Sequence, residues 1–253
     1  MSLVLSALEF DVVWESERLP ARHVALDVPS PGRTHTERAG LVKQAWAELE
    51  SRGLAKGGRA VAEVADQVAL LAHPEVSVDV WVWADRPVKA FAAQSGRQAA
   101  LAVVDEGKVW LIPARSTALA ESAVSVAGDM PAGGGRSVSV PNDVIVAADN
   151  EAKADTKRFI TALEAKGVTL SDAQAVAAML AGMTTRGQFG VERRHRDQRV
   201  VRADRVVAFH DTPDGRYLDL VRPSTDGRQW CTVTPADNQR LASCVWELLE
   251  EIS

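Results

Sequence analysis

The residues best equipped for chemistry lie in one stretch, RVVAFHDTPDGRYLDLVRP at 205–223. It sets His210 beside Asp211, turns through Pro213-Asp214-Gly215, and then supplies Arg216 and Tyr217, with Cys231 further along. Imidazole, carboxylate and thiol are the parts of a hydrolase or transferase site in which a base activates a nucleophile. The spacing argues against a relay through adjacency. Neighbouring residues on a strand point to opposite faces, so His210 and Asp211 do not meet by sequence proximity. Asp211 reads instead as an acceptor for backbone amides in the turn.

Other chemistries lack their parts. His23, His35, His73, His195 and His210 show no i, i+4 pairing and no Cys/His cluster, whereas zinc takes about four such ligands. Cys231 and Cys244 are the only cysteines; they form no CxxC knuckle and read as small core residues of a reducing cytoplasm. No G-x-S-x-G elbow occurs, and GGGR at 133–136 lacks the Gly-Lys-Ser/Thr of a phosphate loop. The run VERRHRDQRVVR at 191–202 is basic, but it has no aromatic residue for base stacking and is interrupted by Glu192 and Asp197. With a net charge of -5 on the whole chain, this run reads as a solvated connection between strands rather than a phosphate-binding surface.

The 253 residues suffice for a real core, and the 46% apolar and 25% charged fractions are those of an ordinary soluble domain. No apolar run approaches the roughly 18–20 residues of a membrane helix, so no membrane insertion is expected. The opening MSLVLSALEFDVVWE lacks a basic n-region and does not read as a signal peptide.

The elements that must position these side chains follow from periodicity and punctuation. Weak alternation over 8–28 predicts one or two strands. Thr34 and Glu37 form a capping box for a helix with Val42, Trp46 and Leu49 on its buried face, ended by Gly53. A second helix is expected over 59–72. VSVDVWVWA at 76–84 is a strand inside the sheet, with valines on one face and Trp81 and Trp83 on the other. A hairpin at 98–114 turns at Gly107, and a helix spans 118–127. The segment 130–143, MPAGGGRSVSVPND, reads as a Gly/Pro-rich loop.

The second half predicts helices at 155–166 and from a Ser171/Gln174 capping box, with Val176, Met179, Leu180 and Met183 as a stripe. A strand at 188–192 follows, then the 205–223 hairpin, a second turn at Asp226-Gly227, and a strand at 229–233. The last helix is capped by Thr234, with Pro235 and Asp237 behind it, and carries Leu241, Cys244, Val245 and Leu248. AELESRGL at 47–54 echoes TALEAKGV at 161–168, and VVDEGKVWLIP is matched to AFHDTPDGRYLDLV. The repeat predicts an α+β fold: a central, mostly antiparallel sheet with flanking helical bundles and two quasi-two-fold-related halves, about 1–130 and 150–253, joined by the loop at 130–143.

The ordered set VVAFHDTPDGRYL…RPSTDGRQWCTVTPADNQRL, preceded by GVTLSDAQAVAAML and GQFGV, and at the N-terminus FDVVWE…DVPSPGRTHTERAGLV…ELESRGL, resembles the EspG family over nearly the whole chain. The resemblance implies a single EspG-like domain over 1–253, acting as a cytoplasmic chaperone of a type VII secretion system. Its implied partner is the apolar tip of a PPE protein within a PE–PPE heterodimer, delivered to secretion-machinery components, with no catalytic residue, cofactor, metal or nucleic acid involved. By position it implies a partner surface at Val168, Leu170, Val176, Met179, Leu180, Met183 and Phe189, with Phe189 as an exposed anchor, and a contribution from the 29–36 loop. In this reading the 205–223 hairpin is framework, and its polar residues serve edge and turn. Two alternatives from other classes stand beside it: a small hydrolase or transferase at His210, Asp211 and Cys231, and a nucleic-acid module using the 193–202 arginines.

Overall fold

The structure, a computed structural model, describes residues 2–225 and 227–253; Asp226 of the expected second turn lies outside them. The chain enters through the strand Leu3–Ser6 (β1) and turns at once into the helix Ala7–Ser16 (α1). The strands expected over 8–28 are therefore a helix followed by a 3-10 turn, Val24–Leu26. The cause is local. The Ser6 hydroxyl accepts the Glu9 amide, and the Glu9 carboxylate accepts the Ser6 amide at 2.7 Å, a capping box that commits the next residues to helix. The same device at Thr34 and Glu37, as expected, opens His35–Ser51 (α2), and Gly53 ends it in a left-handed turn with φ +72°. The helix Ala62–Ala72 (α3) follows.

A four-strand meander comes next: Val76–Trp83 (β2), Pro87–Ser95 (β3), Gln98–Asp105 (β4) and Lys108–Arg115 (β5), closed by the helix Leu119–Val124 (α4). Strand β3 has no counterpart in the sequence reading. PVKAFAAQS opens on proline and is rich in alanine, both poor strand signals. It is a strand because neighbours on both sides satisfy its backbone.

The second half begins inside the segment expected as a loop, with Val138–Pro141 (β6) and Asn142–Ala152 (α5). Then come Thr156–Ala165 (α6), Leu170–Leu180 (α7), Thr185–Arg194 (β7), Val200–Arg202 (β8), Val207–Thr212 (β9), Gly215–Pro223 (β10), Gln229–Pro235 (β11) and Asn238–Glu251 (α8). Two caps differ from expectation. Helix α7 is capped by Thr169, whose hydroxyl accepts the Asp172 amide, rather than by Ser171. Helix α8 is capped by Asp237, because Pro235 is still paired with Tyr217 in β11.

All the strand pairs are antiparallel, in the order β1-β5-β4-β3-β2-β7-β9-β10-β11-β6, with β8 beside the far end of β7. Read outward from the β2–β7 junction, the two halves run in the same sequence order, so the fold is α+β with a quasi-two-fold at that junction. Helices α2 and α6 are equivalents, and the echo of 47–54 in 161–168 marks their ends. The second echo is one strand out of step. VVDEGKVWLIP builds β4 and β5, whose counterparts are β10 and β11, whereas AFHDTPDGRYLDLV builds β9 and β10.

One face of the sheet, with Val76, Val78, Val80 and Val82, packs under α4 and α8. The other face is covered twice: by α1, α2 and α3 over the first half, and by α5, α6 and α7 over the second. The outermost strands, β1 and β6, are four residues each. The Arg52 guanidinium takes the Val4 carbonyl of β1 at 2.8 Å, and β6 ends in Pro141.

Within the 205–223 hairpin the Thr212 hydroxyl does serve the turn, but His210, Asp211 and Arg216 are not edge and turn chemistry. Asp211 and Arg216 stand directly opposite each other on β9 and β10 and form a forked pair at 2.7 and 2.9 Å. Arg216 is wholly buried. Its remaining N–H groups donate to the carbonyls of Ala127 (2.8 Å) and Gly128 (3.1 Å) and to Asn238. Its five donors meet five acceptors. The glycine-rich loop is fastened beside it. The Arg216 amide donates to the Pro131 carbonyl, and the Gly133 amide to the Arg216 carbonyl. A side chain at Gly133 would strike the Tyr217 ring, 2.2 Å away.

Arg216→Met is therefore expected to leave Asp211 buried and uncompensated, costing about 3–5 kcal/mol, as a lower urea midpoint with unchanged slope. A loss below about 1 kcal/mol, within the surface-pair range, would refute this role.

Candidate partner-binding face

Directly opposed residues of an antiparallel ladder share a face. Trp81, Gln188, Ala208 and Asp219 thus form one row across the middle of the sheet, and Trp83, Arg186, His210 and Tyr217 the next. Both rows lie on the face that carries the two helical layers. Those layers rest on the flanks and leave the centre uncovered. Trp81, Gln188 and Ala208 are half-buried, and Trp83 and Arg186 are exposed. The two indoles stack with centroids 6.3 Å apart. Lys89 lies 5.2 Å from the Trp81 ring and Arg186 5.7 Å from the Trp83 ring, so each cation shields an aromatic face. The stripe is apolar with basic shoulders.

One end of the stripe is closed. Buried Asp79 holds the Arg202 guanidinium at 2.7 and 3.2 Å and accepts from the Trp81 indole at 2.9 Å. This crossing needs Gly190, where a Cβ would lie 2.3 Å from Arg202 and 2.6 Å from Asp79. Glu192 joins Arg202 at 2.9 Å and His23 at 3.7 Å. His23 foremost, with Arg202, holds its carboxyl below the usual range against the opposing effect of burial. The 193–202 arginines thus run from the end of β7 through the turn to the end of β8, and Arg202 is committed to this network.

The second-half side of the stripe is walled by the end of α7. The Met179 carbonyl lies 3.0 Å from His210 Nε2, and the Thr184 amide donates to the Asp211 carbonyl at 2.8 Å. Beneath this end is a cavity of about 240 Å³ lined by Ala152, Phe159, Ala177 and Leu180 among others.

The structure divides the residues singled out for partner contact. Met183 lies beyond the helix end and is 45% exposed, and Leu170 opens the helix at 49%. Val168 and Leu180 are half-buried. Val176 and Met179 belong to the core of the second helical layer. Phe189 is completely buried. It stands opposite Val80, stacks on Phe209 at 5.6 Å, and faces α4 and α8, so it is not the exposed anchor expected. Trp81, Trp83 and Arg186 were not singled out. Their signal was the alternation in VSVDVWVWA, which places both indoles on the face away from the valines.

His210 and Asp211 face opposite sides and are committed separately, Asp211 to Arg216, His210 to Asp219 and Met179. Burial, with the Asp219 charge, pushes the Cys231 thiol up to about 11, far from an activated thiolate at neutral pH. Among the described residues no three His, Cys, Asp or Glu side chains gather as a metal-ligand set, and no helix is long and apolar enough to cross a membrane.

The model of the EspG family matches residues 6–247. This chain belongs to the EspG family. A search of curated proteins finds no match. Among solved structures, the chain is similar to the Mycobacterium tuberculosis type VII secretion system chaperone EspG5, solved in complex with a PE25–PPE41 dimer. The TM-score is 0.77 at 13% identity, over 100% of this chain and 97% of that one. At that identity the likeness establishes the EspG fold, and the fold is the one described above.

The face assignment is testable by stability. Phe189→Ala is expected to lose about 3–5 kcal/mol as a core cavity, and Met183→Ala no more than about half a kcal/mol, both read from denaturant midpoints. Equal losses would refute the assignment.

Proposed function

We propose that this chain is a cytoplasmic chaperone of a type VII secretion system. It binds the apolar tip of a PPE protein within a PE–PPE heterodimer, keeps that substrate soluble and passes it to the secretion machinery. The observation that carries the reading is the EspG-family match over 6–247, together with the whole-chain fold likeness to EspG5, the partner of the PE25–PPE41 dimer in that structure. An exposed apolar tip self-associates in water, and a chaperone that covers it needs a complementary apolar surface with a polar rim. The central stripe supplies both, with stacked indoles between Lys89 and Arg186.

In this reading Trp81 and Trp83 form the floor, Leu180 and Met183 at the end of α7 form the wall, and Leu170 and Val168 extend the surface to the start of that helix. Val176 and Met179 hold α7 in place, and Phe189 supports the floor from the opposite face. The chain works by binding, without catalytic chemistry or cofactor, and as one domain of two halves meeting in the loop before β6. Support for the absence of catalysis is the separate commitment of His210 and Asp211 and the raised thiol of Cys231.

The test is pull-down of a PE–PPE pair alongside thermal melting. Met183→Asp and Trp83→Asp are each expected to weaken binding by about 2 kcal/mol or more, as hot-spot changes do, with melting close to that of the parent. Undiminished binding by both well-folded variants would remove this face from the site.

A further inference from the structure

His210 is 1% exposed, and its two ring nitrogens face two acceptors. Nδ1 lies 2.8 Å from Asp219 Oδ2, and Nε2 lies 3.0 Å from the Met179 carbonyl. A carbonyl oxygen cannot donate, and neither can an ionised carboxylate. Both contacts are hydrogen bonds when both nitrogens carry hydrogen, so the ring that fits this site is imidazolium. Met179 belongs to the last turn of α7, whose carbonyls lack an amide partner within the helix and present the negative end of its dipole. The geometry points to His210 as a cationic clasp that holds the end of α7 on the sheet, and thereby as a positioning residue whose protonation sets the shape of the partner-binding wall. The inference deepens the proposed function and rests on it for its binding consequence.

The surroundings of the ring define the titration. From β10, Asp219 supplies the countercharge and Tyr217 stacks on the ring at 5.2 Å. From β7, Arg186 stands opposite in register but carries its guanidinium to Trp83. From β11, Cys231 faces Asp219 closely enough for that carboxylate to help keep its thiol protonated. Asp211, the next residue on β9, lies on the far face in its pair with Arg216. Burial is the largest single influence on His210 and lowers its pKa. The hydrogen bond and charge of Asp219, the Met179 carbonyl and the charge of Asp211 outweigh it, and the net value lies above that of an ordinary histidine.

The sign follows. A group whose pKa is raised by folding contributes stability that is complete below its unfolded value, about 6.5, and is lost as pH rises through the folded value. Asp219 holds the Nδ1 proton electrostatically, so the proton that leaves is the one on Nε2. A nitrogen lone pair then faces the Met179 carbonyl at hydrogen-bond distance. The contact turns repulsive, and the last turn of α7, which carries Leu180, shifts away from His210, while the Thr184 amide still holds the following segment to the Asp211 carbonyl.

Nitrogen-15 NMR of histidine-labelled full-length protein reads the clasp directly. Both His210 nitrogens are expected to be protonated at about pH 6, and Nε2 alone to lose its proton as the pH is raised above the ordinary histidine value. Backbone shifts of residues 178–184 should titrate with the same midpoint. Affinity for a PE–PPE pair should fall by about fivefold or more across that range, a typical coupling between linked sites. His210→Gln, which can donate to Met179 without titrating, should flatten the affinity profile. Asp219→Asn should move the NMR midpoint to lower pH, an arm that remains if His210→Gln fails to fold. A singly protonated ring at about pH 6, or residues 178–184 indifferent to the titration, would overturn the inference. Failure to bind a PE–PPE pair at any pH, with the NMR titration intact, would count against the proposed partner instead.

Discussion

A guanidinium with no access to water must satisfy every donor or destabilise the fold around it. Taking one charge out of solvent costs several kcal/mol, and Arg216 sits at zero exposure. The requirement organises the molecule. Asp211 has to stand opposite on β9, α8 has to begin where Asn238 can reach, and the turn after α4 has to deliver the carbonyls of Ala127 and Gly128. Those carbonyls close the first half, while the other partners belong to the second. One side chain therefore fixes the passage between halves, and the backbone of 131–133 is laid along its strand by two further bonds.

With the sheet anchored, glycine decides what can cross its centre. Gly187 leaves room for the Phe209 ring, which a Cβ would meet at 2.4 Å, and Gly190 leaves room for Arg202 to reach Asp79. The first serves the packed face under α4 and α8, and the second serves the open one. The central strands can thus be dense on one side and leave a stripe accessible on the other. The helical layers stop short of that stripe because each is built over the outer strands of its own half.

Much of this was legible in the residues. The Thr34/Glu37 box, the Gly107 turn, the Pro213–Gly215 turn and the α8 stripe of Leu241, Cys244, Val245 and Leu248 all rest on local chemistry, and local chemistry is what a sequence displays. The first helix was equally local, but the Ser6/Glu9 box was masked by the β-formers Phe10, Val12 and Trp14. Strand β3 was hidden for a different reason, since its pairing is supplied by neighbours rather than by its own alanines. Missing it shifted the hairpin echo by one strand. Which strand face carries Phe189 depends on register against Val80, a long-range fact. Burial of Asp211 with Arg216 likewise depends on cross-strand alignment and on carbonyls far along the chain. The family pattern pointed to the α7 region as a candidate partner surface, and telling its exposed side chains from its core required the helix end to be placed.

The sheet ends on both sides in strands of four residues, one with its outward Val4 carbonyl occupied by Arg52 and the other stopped by Pro141. A long sheet normally presents a template at each margin, where any extended segment can add itself by backbone pairing alone. Here the margins are short and partly blocked. A sheet of this width can therefore stay discrete at high concentration, and an extended stretch of another chain finds little ladder to prolong. What the sheet offers instead is the side chains of its open face, where shape and chemistry discriminate and backbone pairing does not.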